Sequence, residues 1–343
     1  MVEQFYGNHG RSWRCARAIA LCLALSASAC DGTNAPTVPS PAKPAASARA
    51  VDAAIQSAES YLAAQRPREA VQVAARLAEE APTLMRAHEL HARSLVALAF
   101  DPETNQADRA RWIGEAADAY DRATELEPTL AALHHAAGVL SNTAKRPEAA
   151  LAHYRAAHNA DPTNAQYALY LGVALASAGE LEEARALIQD AERRAPTSPD
   201  PKAALADLAV RQKDFAAART AIARARALDP ASLGLRLADA RIRRLDKHPD
   251  ESLDMLLALD PPVRQQPGVA EELALAHTAL GDFAAAAIVL ENSARAVPQD
   301  WRRAVRTAHA WQRAGDPVKA QVWLQSALGA GAPPEALQES PQD

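Results

Sequence analysis

A proline at a fixed interval constrains this chain more than any other feature. Pro128, Pro162, Pro196 and Pro230 stand 34 residues apart, and Pro298 follows Pro230 by 68, twice that interval. A constant period of this length means that one supersecondary unit is copied and stacked. Two columns of small residues keep the same phase. Ten residues after each punctuation point stand Gly138, Gly172, Ala206, Ala240, Ala274 and Ala308; twenty-two after it stand Ala150, Ala184, Ala218, Ser252, Ala286 and Ala320. Four residues beyond the second column come Tyr154, Ile188, Ile222, Leu256, Leu290 and Leu324, all large and apolar. Small residues let two helices approach closely and the large one fills the groove alongside, as the packing of two short antiparallel helices requires.

These columns resemble the tetratricopeptide repeat, with small residues at its eighth and twentieth positions, an apolar residue at its twenty-fourth and proline at its thirty-second. The resemblance covers residues 51–328. It implies an all-α fold, an α-α superhelix (TPR solenoid) of about eight helix-turn-helix repeats forming one domain over 50–328.

The first repeat is placed at 51–82, with helices over 51–64 and 68–80 and with Ala58 and Ala70 in the small columns. Pro82 to Pro128 spans 46 residues, and the 12-residue surplus is 100–111; removing it returns Ala116 to the small column and Tyr120 to the large one. The insertion therefore falls in the turn between the second repeat's helices or lengthens them. Repeats three to five are regular. Repeat six has Arg264 where proline is expected, with Pro261, Pro262 and Pro267 nearby, so a distortion is expected there. Repeat seven ends at Pro298, repeat eight runs through Trp301 to about Leu328, and 329–343 reads as a flexible tail. The turns inside the pairs use Gly179, Gly281 and Gly315, suited to the left-handed conformation that ends a helix, while Lys145, Lys213 and Lys247 hold the equivalent places.

Composition agrees with stacked helices. The chain is 49% hydrophobic but only 4% aromatic, which suits alanine-rich helical packing better than a globular enzyme. A net charge of -5 argues against nucleic acid as a partner.

Residues 1–29 read as a secretory signal: Arg11, Arg14 and Arg17 precede an apolar run over 18–25 and small residues up to Cys30. The run is shorter than the roughly 20 residues needed to span a bilayer. Its end resembles the bacterial lipobox, which implies lipid attachment at Cys30 as the first residue of the mature protein. Cys15 and Cys22 would leave with the signal, so a single thiol remains. Ordinary cleavage after Ala29 is the alternative and would leave a soluble exported chain. Residues 30–49 are rich in proline and alanine and read as a disordered tether, able to reach roughly 60 Å at about 3 Å per residue. The expected location is the bacterial cell envelope, lipid-anchored to the inner or outer membrane.

No catalytic constellation stands out. His88 and His91 are three apart, and Ala92 occupies the place where a zinc-protease motif needs its second histidine. His134 and His135 are adjacent and point to different faces of a helix, with His134 at a packing position. Neither a glycine-rich phosphate loop nor a Gly-x-Ser-x-Gly elbow occurs. The expectation is no catalysis, no metal and no cofactor.

What remains is binding. In the family the first helix of each repeat lines the concave surface, and ligands lie along it. Carried onto this register, the inward positions hold Arg86, Glu89 and Arg93 in repeat two, His135 and Asn142 in three, Gln166 in four, Asp207 and Arg211 in five, Arg241 and Arg244 in six, and Arg302, His309 and Gln312 in eight. Guanidinium forks suit carboxylates, so an acidic peptide segment is the expected ligand. Internal pairing, as of Asp207 with Arg211 or Asp239 with Arg243, is the competing reading. The lysine and asparagine clamp of chaperone-binding members is absent. The expected function is a non-catalytic scaffold, a membrane-anchored envelope lipoprotein supporting assembly of a pilus, secretion, export or outer-membrane complex. The alternatives are a soluble periplasmic module binding a peptide or small ligand, and an accessory subunit of an envelope enzyme with its site at 100–111.

Overall fold

The computed structural model describes residues 48–337; the signal, Cys30 and nearly all of the tether lie outside them. Among the described residues the regular structure is all α-helix apart from one short 3-10 turn. The helices fall into two compact units that meet in sequence between Ala195 and Pro196.

The first unit is four antiparallel pairs. They are α1 (Ala48–Ala63) with α2 (Pro67–Glu80), α3 (Met85–Ala99) with α4 (Gln106–Leu126), α5 (Ala131–Thr143) with α6 (Pro147–Ala160), and α7 (Ala165–Ala178) with α8 (Leu181–Arg194). The second holds α9 (Asp200–Arg211), α10 (Phe215–Leu228), α11 (Leu233–Leu245), α12 (Pro249–Leu257), α13 (Pro261–Arg264), α14 (Pro267–Ala279), α15 (Phe283–Arg295), α16 (Trp301–Arg313), α17 (Pro317–Gly329) and the 3-10 turn Pro334–Leu337.

The proline column acts through the residue before it. Proline disfavours the helical region for its predecessor. Ala81, Glu127, Asp161, Ala195 and Asp229 accordingly leave the helix with φ between −123° and −140° and ψ between 64° and 84°. The chain is thus turned out of the second helix and into the next repeat.

Inside every pair except α3–α4 the turn holds a residue in the left-handed region. Gly179, Gly281 and Gly315 have φ of 90°, 80° and 78°; Lys145, Lys213 and Lys247 have 63°, 59° and 63°. A bond five residues back closes these turns, as from Glu180 N–H to the Leu175 carbonyl at 2.9 Å and from Asp214 N–H to Ala209 at 2.9 Å. The next residue then starts the second helix, and Asp214, Asp282 and Asp316 each cap it by accepting a backbone N–H at 3.0 Å. An L side chain in the left-handed region costs about 1 kcal/mol or more. Lys213→Gly is therefore expected to raise the melting midpoint of the chain by a few degrees, corresponding to about 1 kcal/mol; a lowered midpoint would contradict a left-handed Lys213.

Both small columns are buried where the helices of a pair touch. Ala58, Ala70, Ala116, Ala150 and Ala184 are at most 1% exposed, as are Ala206, Ala218, Ala240 and Ser252. Tyr120, Tyr154, Ile188, Ile222 and Leu256 fill the grooves beside them, while Leu290 and Leu324 are only half-buried.

Of four irregular features, the first and last depart from the sequence reading, while the second and third fall where it expected a lengthened helix or a distortion. First, α1 begins at Ala48, two residues inside the segment expected to be tether. Second, most of the insertion extends a helix, for α4 has 21 residues against 14 in α6. The remaining turn, 100–105, is tied down: the Thr104 hydroxyl donates to the Leu98 carbonyl at 2.7 Å and Arg109 Nε to the Ala99 carbonyl at 2.9 Å. Third, repeat six holds an additional helix. Pro261 and Pro262 lack the N–H groups that continuing α12 would need, so they open the four-residue α13 instead. Val263 then packs beside Leu256, Leu259 and Leu273. Fourth, the tail is docked as far as Leu337, which packs with Ala332 against Trp301, Trp323 and Val305 and so covers the end of the last pair.

Candidate protein-binding face

Each first helix places its second, fifth, ninth and twelfth residues on one side, because those offsets approximate the helical repeat. In the first unit that side carries a charged cluster built across two helices. Arg86 on α3 donates to Glu59 on α1 at 2.6 Å and to Glu89 one turn on at 2.8 Å, and Glu89 is 1% exposed. Burial disfavours the Arg86 charge, but the two carboxylates outweigh this and raise its pKa above the ordinary value.

Arg93, two turns along α3 from Arg86, differs. It is half-buried, and among the described residues its guanidinium has no hydrogen bond, ion pair or ring contact, with Nη1 shielded from solvent.

His135 does not offer itself to a ligand as the sequence reading expected. It is 3% exposed and sits inside tyrosines, its ring centroid 6.1 Å from Tyr154, 5.1 Å from Tyr167 and 4.7 Å from Tyr170, the last edge to face. Burial alone pushes its pKa down to about 4. Tyr167 and Tyr170 went unremarked in the sequence, although their spacing of three puts them on one face of α7. Asn142 is exposed and Gln166 half-buried on the same side of their helices.

In the second unit two of the four arginines expected to face a ligand, Arg211 and Arg244, already have carboxylate partners. Arg211 Nε donates to Asp207 at 2.8 Å, and Arg244 reaches Glu272 on the neighbouring first helix at 3.2 Å. Asp239, 2% exposed, accepts from Arg243 at 2.9 Å and also binds Arg226. Internal pairing therefore prevails at these positions. Arg241 is half-buried and His309 is 9% exposed. Arg302 and Gln312 are exposed, with the Arg302 guanidinium 4.4 Å from the centre of the Trp301 ring.

A further column escaped the sequence reading. Six residues after the repeat proline, a cationic or imidazole side chain donates back to the proline carbonyl: His88 to Pro82 at 2.9 Å, His134 to Pro128 at 2.9 Å, Lys202 to Pro196 at 2.7 Å and Arg236 to Pro230 at 3.1 Å. Their common offset from the proline was the available signal. It also explains His88, which ties down the start of its repeat.

Residues 142–208 match the family model of the tetratricopeptide repeat. Among solved structures, the chain is similar to a tetratricopeptide repeat protein from Parabacteroides merdae with a TM-score of 0.57 and 11% identity, over 81% of this chain and 98% of that one. It is also similar to PilW, described as a widely conserved type IV pilus biogenesis factor, with a TM-score of 0.51 and 18% identity, over 65% of this chain and 96% of that one. No curated protein matches it. At these identities the likeness establishes the fold, an all-α array of tetratricopeptide-like helix pairs.

Proposed function

We propose that this chain is a non-catalytic scaffold that binds a carboxylate-bearing segment of a partner protein on the first-helix face of residues 48–195. A stack of small repeats suits that work, because each repeat contacts only its neighbours and leaves a long face for a partner. The observation that carries the reading is Arg93. A half-buried guanidinium without a partner among the described residues costs free energy unless a ligand completes it, and a bidentate carboxylate is its best complement. Exposed Asn142 and half-buried Gln166, on α5 and α7, would hydrogen-bond the partner's backbone.

The setting proposed is the bacterial cell envelope, with a lipid on Cys30 and the 30–49 stretch as tether. This rests on the order of basic, apolar and small residues before Cys30. The fold likeness to PilW makes pilus assembly the first of the candidate systems to test, ahead of secretion, export and outer-membrane complexes. The soluble periplasmic alternative would leave the mature chain without lipid mass on Cys30.

The test is cross-linking of the chain in its native membranes, followed by mass spectrometry, for the unsubstituted protein, Arg93→Ala and Arg244→Ala. A charge-assisted hydrogen bond is worth roughly 1.5–3 kcal/mol, so Arg93→Ala should lower capture of the specific partner about tenfold or more. Arg244→Ala should lower it less, since Arg244 already has Glu272. Equal capture by all three would sink the Arg93 reading. Capture of nothing above background would sink the scaffold.

A further inference from the structure

His134 and His153 face one another on α5 and α6, and their outer nitrogens are already committed. His134 Nε2 donates to the Pro128 carbonyl at 2.9 Å, which requires its hydrogen there. His153 Nε2 lies 2.9 Å from a carboxylate oxygen of Asp121, which accepts its hydrogen. In two neutral imidazoles the remaining nitrogens carry lone pairs, and those two Nδ1 atoms are 3.3 Å apart. Lone pairs held that close repel unless something electrophilic lies between them.

We infer that the His134–His153 pair is a site for one borderline divalent cation of the Zn2+ class, bound through the two Nδ1 atoms. The spacing fits. With metal–nitrogen bonds of about 2.05 Å, two nitrogens 3.3 Å apart subtend about 107° at the metal, close to the tetrahedral angle. The outer contacts fit as well. A ligating histidine characteristically donates its other N–H to a carboxylate or a backbone carbonyl, which fixes the ring and raises its basicity; Asp121 and Pro128 fill those two roles. Imidazole pairs suit zinc, nickel and copper rather than calcium or magnesium. Burial, together with the neighbouring ring and against the hydrogen bond to Pro128, keeps the His134 pKa below its ordinary value, which favours a free lone pair on its Nδ1. The His153 side chain is 16% exposed and Asp121 37%, which leaves the cation an approach from solvent and room for water in its other positions. Among the described residues no group of three or more histidine, cysteine, aspartate or glutamate side chains is placed to hold a metal, so the protein supplies two ligands and the site is an open one.

The experiment is calorimetric titration of the full chain with Zn2+ at neutral pH, with the same titration of His134→Gln, His153→Gln and Asp121→Asn. The inference expects one zinc equivalent to vanish in each histidine variant and its affinity to fall roughly tenfold in Asp121→Asn. It also expects the imidazole NMR signals of His134 and His153, but not those of His88, to move on zinc addition to the unsubstituted chain. That second measurement does not depend on any variant folding. Zinc binding of equal stoichiometry in the histidine variants would overturn the inference. So would a pair that takes up a single shared proton on acidification while its signals ignore zinc.

Discussion

Gly172→Val is expected to destabilise the 48–195 unit by about 3 kcal/mol and to lower its melting midpoint by on the order of 10 °C. The sign is not obvious from helix propensity, which favours replacing a helical glycine, by about 1 kcal/mol for alanine and by less for valine. Packing reverses it. A Cβ at Gly172 would lie 2.7 Å from Ile188 Cγ1 and 3.1 Å from the Ala184 backbone oxygen on α8. A side chain can change rotamer, but a helix backbone can only withdraw, and withdrawing α8 opens the contact between the helices of the pair. Three added carbons place the cost at the upper end for overpacking. Gly179→Ala is the control. That residue has φ of 90° and nothing within 4 Å of an added Cβ, so the loss should be limited to about 1 kcal/mol of backbone strain. Circular dichroism melts of both variants decide the matter. A Gly172→Val midpoint at or above that of the unsubstituted chain would show that α7 and α8 do not meet at this column. Adding Ile188→Ala should return part of the loss, because the two sites share the contact.

The second large effect is expected in acid and rests on His135. In an unfolded chain histidine titrates near 6.5, whereas burial among Tyr154, Tyr167 and Tyr170 pushes His135 down to about 4. Between those values the unfolded state binds more protons, so stability rises with pH through the window and falls as the pH is lowered. The contribution is fully present above about 6.5. By pH 4 it has fallen by about 3 kcal/mol, from a separation of about 2.5 units at 1.36 kcal/mol each. His91 and His134, whose pKa values burial also lowers, act in the same direction. Urea midpoints at pH 7 and pH 4.5 measure the fall. His135→Phe keeps an aromatic ring among the tyrosines and should remove the largest part of it. An undiminished fall in that variant would mean that the buried imidazole is not its source.

Much of the architecture could be read directly. The 34-residue period gave the helix pairs, and the small columns marked where their members touch, as burial of Ala150, Ala184 and Ala218 shows. Even the left-handed turns at Lys145, Lys213 and Lys247 followed from their place in the period, where a lysine would not otherwise suggest positive φ. The charges on the first-helix side were far less legible, because their partners could not be foreseen: Arg86 pairs with Glu59 across 27 residues, and Arg244 with Glu272 across 28. Neither separation is a helical spacing. Both exist only because neighbouring first helices lie in a particular register. His135 shows the same limit, since two of its three tyrosine neighbours come from the next first helix, α7.

Where the helices stop, which residues pair them and how the repeats are phased can all be read from the order of the residues. Those features depend on local backbone preferences and on a side-chain period short enough to repeat in every copy. Packing between helices settles which charges are satisfied within the chain, that Arg93 has no partner among the described residues, and that His134 and His153 share one small space. Such facts depend on distances between elements far apart in sequence, and those distances are set by how the helices pack rather than by either residue alone.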